Sequence, residues 1–279
     1  MRYKGITVEP LTPAIGAIIH EGDISIPLGN DVISEIESAF HEHLVIFFEQ
    51  QNLNPKELIA FAKQFGKIGY YPFVQGMEDH PEVVEVTKNK DEKINFGGLW
   101  HTDTSYLLKP PASSMLYAVE VPPSGGDTLF ANMYLAYDAL SEKYKNLIDN
   151  LYVVNSAEKP DAAVTRVHRI ADKPKNAEDI ITTSQHPIVR THPQTKKKAL
   201  YCSGAHSIKI EGMDEAESHS ILQHLYSVQK REEFACRFRW KKGSLAFWDN
   251  RCAQHNALND YHGFKRVMYR VTHEGDRPR

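Results

Sequence analysis

The segment Trp100-His101-Thr102-Asp103-Thr104-Ser105-Tyr106 sets an imidazole and a carboxylate two residues apart. If it is extended, alternate side chains share a face, so His101 and Asp103 point together while Thr102 points away. The pair offers two ligands to a borderline divalent metal. A second His completes the two-His-one-carboxylate facial triad, the usual holder of non-haem Fe(II), which leaves positions open on the ion. In a chain with 14 His a His-x-Asp tripeptide is weak by itself, and its company decides. Far along the chain, Trp248-Asp249-Asn250-Arg251-Cys252-Ala253-Gln254-His255 supplies a distal His, and Arg266-Val267-Met268-Tyr269-Arg270 follows. On a strand Arg266 and Arg270 face the same side, roughly 13 Å apart at ~3.3 Å per residue. Two guanidinium groups aimed into an interior each need an anion, and a carboxylate bound through two hydrogen bonds suits that group. The plainer reading is a surface strand with both Arg residues in water.

Several elements must position these groups. Asn54-Pro55-Lys56-Glu57 reads as a helix start, with Asn as N-cap, Pro at the first helical position and Glu reaching back. That helix would bury Leu58, Ile59, Phe61, Ala62 and Phe65 and stop at Gly66. Similar apolar spacing predicts helices near 31–42, 132–149 and 214–229. Between them lie runs rich in β-branched and aromatic residues: Leu44–Phe48, Val83–Val86, Met115–Val121, Phe234–Trp240, Ser244–Trp248 and Arg266–Thr272. Strands and helices do not alternate as βαβ units would. The pattern predicts a mainly antiparallel, mainly β fold with attached helices (α+β), such as a jelly roll.

With 279 residues, 41% hydrophobic and 25% charged, the chain has the composition of a globular protein, which argues against disorder. A formal charge of −3 provides no general attraction for nucleic acid or an anionic membrane, and neither is expected as a partner. No apolar run approaches the roughly 20 residues of a membrane span, and the N-terminus has no secretory pattern. Three cysteines without a Cys-x-x-Cys pair argue against a disulfide framework or thiolate zinc site and make the cytoplasm the expected location. No repeat or long linker divides residues 1–279, so one domain is expected. The polar stretch at about 155–198, with four Pro and Lys196-Lys197-Lys198, reads as an insertion and a candidate lid, the Lys run as a solvated hairpin turn.

Taken together the sequence resembles the taurine dioxygenase/TfdA group of Fe(II)- and 2-oxoglutarate-dependent dioxygenases. The likeness runs from "ITVEPLTPAIGAIIHEGD" through "WHTDTSYLLKPPASSMLYAVEVPPSGGDTLFANMYLAYDAL" and "HPIVRTHPQTKKKALY" to "AFWDNRCAQHNALNDYHGFKRVMYRVTHEGDRP". The resemblance implies a double-stranded β-helix, with His101, Asp103 and His255 as iron ligands. It implies that Arg266 and Thr128, which closes "SGGDT", hold the C5 carboxylate of 2-oxoglutarate, and that Arg270 meets an anionic prime substrate. The implied reaction uses O2 to hydroxylate a C–H bond while 2-oxoglutarate becomes succinate and CO2. Dimers or tetramers are common in the family.

The substrate side departs from the taurine enzymes. Tyr71 stands where they carry a sulfonate-contacting His, and Val74 replaces a Tyr. Gly97 replaces an Asn, with Asn95 close by, and His206 falls at a pocket Phe. Mismatched hydrogen bonds discriminate substrates strongly, so these changes point away from taurine itself. Arg270 still favours an anion: a sulfonate, a sulfate ester or a carboxylate such as an aryloxyalkanoate, with Tyr71, Thr104, Asn95 and His206 beside it. The alternatives are an oxygenase or desaturase of a larger metabolite, or a barrel that binds without turnover. His186 and His192 read as solvated loop residues, Asp249 as a turn residue, and Trp100, Trp240 and Trp248 as core packing.

Overall fold

The structure is a computed structural model and describes residues 3–20, 22–71, 73–164 and 182–279. Val45–Phe48 and Leu245–Asp249 are buried on both faces and apolar but for Asp249, which places them at the centre of a covered sheet. The sheet runs Thr7–Pro10, Ala17–His20, Val45–Phe48, Leu245–Asp249, Ser113–Glu120, Arg266–His273, Ile68–Gly69, and Val84–Lys88 also pairs with Arg266–His273. One face packs on a second sheet of three strands, Ala235–Phe238, Thr128–Asn132 and Ala253–Ala257. Phe47 and Trp248 enter that interface: Phe47 stacks on Phe238 at 3.9 Å, and Trp248 lies 5.8 Å from Phe130. Ile46, Phe48 and Phe247 point the other way, onto the helices Asn30–His43 and Pro55–Lys63, where Phe40 stacks on Phe247 at 4.1 Å. This is the jelly roll that the strand pattern predicted.

The capping box at Asn54 and Glu57 is present, and its helix buries Leu58, Ile59, Phe61 and Ala62. The helix expected over 132–149 is two, Met133–Asp138 and Glu142–Ile148. Ser141 accepts a hydrogen bond from the backbone N–H of Tyr144 and starts a new helix there, as an N-cap side chain does.

In the stretch 155–198, Tyr152–Ser156 pairs with Thr183–Pro187, and Val189–Thr191 with Lys198–Leu200. The Lys run lies in and beside the exposed turn of that second hairpin. The candidate lid falls mainly on 165–181, outside the described residues. His186 and His192 are not loop residues in water, because the hairpins fold them into the interior, where both are fully buried.

Candidate active site

The expected extended run holds only at His101, which forms an isolated antiparallel bridge with His255. The chain then turns, Leu107 donating back to the Thr104 carbonyl. Asp103 nevertheless converges on the two imidazoles: its Oδ1 is 3.7 Å from Nε2 of His101 and 3.7 Å from Nε2 of His255. All three ligand atoms lie within 4.8 Å of one another, and all three residues are buried. A separation of 3.7 Å is too long for a hydrogen bond. It falls inside the ~4 Å that two donors can span around one ion at bond lengths of ~2.1 Å.

The protonation states suit such an ion. Nδ1 of His101 donates to the Leu99 carbonyl at 2.6 Å, which leaves Nε2 with its lone pair. Burial lowers the His101 pKa, and burial with His101 alongside holds His255 well below the ordinary histidine value, so both rings stay neutral. Burial alone would raise Asp103. Arg270 first, then His255, His101 and the Ser114 hydroxyl outweigh it and hold the carboxyl well below its usual range. The set is two neutral nitrogens and one carboxylate, which fits a ferrous ion.

A chain of hydrogen bonds aims that carboxylate. Trp248 Nε1 donates to Asn250 Oδ1 at 2.9 Å, and Asn250 Nδ2 donates to Ser114 Oγ at 2.9 Å. Ser114 Oγ donates to Asp103 Oδ2 at 2.6 Å. With Oδ2 occupied, Oδ1 is left facing the imidazoles and Arg270, whose guanidinium is 2.8 Å away. Gly97, at φ +76°, lets its loop press on the site, since a Cβ there would sit 3.1 Å from the His101 ring.

Arg266 and Arg270 are both 6% exposed and point inward with Met268, so the surface-strand reading fails. Arg266 lines a cavity that reaches His101 and His255, and Thr128 and Trp240 line it too. The Arg266 guanidinium lies 5.5 Å from the Trp240 ring centroid. Trp240 Nε1 donates to Thr128 Oγ1 at 2.9 Å. An indole N–H can only donate, so Thr128 accepts here and keeps its own O–H for another acceptor. Both glycines of "SGGDT" adopt positive φ, 76° and 71°, and make the tight turn that delivers Thr128.

A second cavity meets the first at His101, Gly97, Phe96 and Arg270, and Tyr71, Thr104, Tyr106 and His206 line it. The Arg270 guanidinium lies 5.4 Å from the Tyr71 ring centroid. His206 meets Tyr106 edge-on at 5.0 Å and is 3.3 Å from the Ser105 hydroxyl. Thr104 has φ +43°, a strained conformation for a β-branched residue, and its buried hydroxyl has no hydrogen-bond partner among the described residues. Asn95, expected beside the substrate, is turned away. Its amide donates to the Ala257 carbonyl at 2.8 Å and ties the 95–98 loop to the strand of His255.

Sequence reasoning missed Ser114 and Asn250, and took Trp240 and Trp248 for packing only. Trp240 and Trp248 are core residues, but their N–H groups also serve the site. A serine inside an apolar strand, at Ser113-Ser114, was the available signal.

A jelly roll that brings together two imidazoles and a carboxylate, with a buried arginine lining an adjoining cavity, has the donor set of a non-haem iron oxygenase. Residues 7–272 match the family described as taurine catabolism dioxygenase TauD, TfdA family, and the chain belongs to it. It is thereby an α-ketoglutarate-dependent dioxygenase. It is 33% identical over 281 residues to an α-ketoglutarate-dependent sulfate ester dioxygenase of Pseudomonas putida, covering 98% of this chain and 91% of the other. It is 33% identical over 288 residues to the α-ketoglutarate-dependent 2,4-dichlorophenoxyacetate dioxygenase of Cupriavidus pinatubonensis, covering 96% and 97%. Among solved structures, AAD-2 in complex with Mn(II) and N-oxalylglycine superposes with a TM-score of 0.86 at 26% identity, covering 99% of each chain. Among the described residues no helix is long and apolar enough to cross a membrane.

Proposed function

We propose that the protein hydroxylates a C–H bond of a small anionic compound (a sulfonate, a sulfate ester or a carboxylate) and releases succinate and CO2. The observation that carries this reading is the convergence of His101, Asp103 and His255 between two cavities. Ferrous iron and 2-oxoglutarate, when bound, would supply the oxidation of the C–H bond by O2. His101 and His255 would hold the ion through their Nε2 lone pairs, and Asp103 through a charge fixed by Ser114. Arg266 would pair with the distal carboxylate of the keto acid, and Thr128 would donate its O–H to it. Arg270 faces the anionic head of the substrate; Tyr71, Thr104 and His206 orient it, while Phe96 and Tyr106 exclude water.

The sulfate ester and aryloxyacetate relatives support an anionic substrate. Anaerobic Fe(II) with 2-oxoglutarate should give a weak visible charge-transfer band that His255→Ala abolishes; full absorbance in that variant would remove His255 from the site. Alkyl sulfates, sulfonates and aryloxyalkanoates should then be screened for stimulated 2-oxoglutarate consumption. Stimulation by none of them would reject the anionic class. We further read residues 1–279 as one catalytic domain acting in the cytoplasm as a homo-oligomer. Its three unpaired, buried cysteines suit a reducing compartment, and light scattering checks the assembly.

A further inference from the structure

Lys88 ends the strand Val84–Lys88 and stands directly opposite Arg266 in the antiparallel ladder. Opposed residues share a face of the sheet, with Cβ atoms about 5 Å apart. Lys88 therefore turns inward with Val84 and Val86, while Glu85 turns out to water. Its burial agrees: Lys88 is 2% exposed. Nζ has three donors and makes no hydrogen bond among the described residues. It rests 4.6 Å from the Tyr261 ring centroid, and Tyr261 packs on Gly126, in the turn that delivers Thr128. Near that turn, Asp127 Oδ2 pairs with Arg237 at 2.7 Å while its Oδ1 makes no hydrogen bond among the described residues, and Asp260 accepts from the Gly126 N–H at 2.7 Å; neither carboxylate hydrogen-bonds Lys88.

An ammonium is a compact, strongly hydrated charge, and burying one is costly. A single aromatic face returns only part of that cost, and the guanidinium opposite adds like-charge repulsion. Two cations opposed on one inward face of the sheet, one of them lining the cavity, make physical sense when an anion reaches both. We propose that Lys88 is a second cation of the keto-acid site, its Nζ donating to the distal carboxylate that Arg266 and Thr128 hold. The proposal rests on the reading of Arg266 given above. It also explains why the site would demand a dicarboxylate: two fixed positive charges are left exposed to each other by a keto acid that lacks the second carboxylate.

The test is calorimetric titration of the Mn(II)-loaded protein with 2-oxoglutarate and with pyruvate, which has no distal carboxylate. Lys88→Met should weaken 2-oxoglutarate about tenfold or more, as loss of a charge-assisted hydrogen bond does, and leave pyruvate within twofold. Lys88→Arg should restore most of the affinity. Unchanged 2-oxoglutarate affinity in Lys88→Met, with Arg266→Ala strongly impaired, overturns the role of Lys88 and leaves the site assignment standing. Unchanged affinity in Arg266→Ala overturns the site assignment itself. If Lys88→Met does not fold, Lys88→Gln is read by the same criteria.

Discussion

His101 and His255, 154 positions apart, exchange both backbone hydrogen bonds, N–H to carbonyl at 3.0 Å and 2.9 Å. These two backbone hydrogen bonds, not the side chains, bring the imidazoles together, with ring centroids 4.1 Å apart before any ion is considered. The pairing of rings is thus a property of the fold, and the carboxylate is the ligand whose position depends on side-chain partners.

Ser114→Ala should therefore act on the ion and not on the fold. It frees Asp103 Oδ2 and strips Asn250 Nδ2 of its acceptor. Mn(II) affinity, followed by electron paramagnetic resonance, should fall about 10- to 100-fold, as loss of an outer hydrogen bond to a metal ligand does. A circular dichroism spectrum like that of the wild type should accompany the loss.

Arg270→Ala leaves Asp103 buried without its cation. Removing one partner of a buried ion pair costs about 3 kcal/mol or more, so the metal-free variant should melt well below the wild type. Mn(II) replaces the missing charge and should raise the melting temperature of the variant more than that of the wild type. In turnover, Arg270→Ala should raise KM for the prime substrate and Arg266→Ala that for 2-oxoglutarate. Identical effects would contradict the division of labour.

His186 predicts an acid weakness. Its Nε2 donates to the Leu107 carbonyl at 2.8 Å, and Nδ1 has no partner among the described residues, so protonation would bury an unpaired charge. Burial pushes its pKa down to about 4, against the 6.5 of a free histidine. Between those values the unfolded chain binds the proton and the folded chain does not, so stability is lost as pH falls through this window. The loss from this one ring is on the order of 3 kcal/mol once pH is below both values. Urea midpoints measured from pH 7.5 to 4.5 should fall less steeply in His186→Gln, and equal slopes would acquit His186.

The cysteines should be silent in the native protein. Burial pushes Cys202 and Cys236 up to about 12 and raises Cys252 well above its ordinary value. A thiol reagent such as Ellman's at pH 8 should find none before denaturation and all three afterwards.

What was legible in the sequence follows from the range of each signal. His-x-Asp, the distal His and the Arg266/Arg270 spacing are local patterns, as are the Asn54 cap and the β-branched and aromatic runs. Arg270 was legible as an inward cation, but not its contact with Asp103, which depends on a turn that the extended reading of 100–106 excluded. Ser114 became visible only once its strand lay beneath that turn. His186 and His192 looked solvated because prolines flank them. The strand of His186 pairs with Tyr152–Ser156, a distant segment, while His192 at the end of its own short hairpin donates to Asp249 at 3.0 Å, far along the chain. Lys88 passed unnoticed because its place opposite Arg266 is set by strand register, which no single segment records.

The metal donors do not all belong to one layer. His255 sits on the three-stranded sheet, while Asp103 is tied through Ser114 and Arg270 to the eight-stranded one. An ion gripped by both would act as a rivet through the mouth of the sandwich. Loading it would stiffen two layers at once, and amide protons on Ala253–Ala257 and Ser113–Glu120 would lose their exchange with solvent in concert.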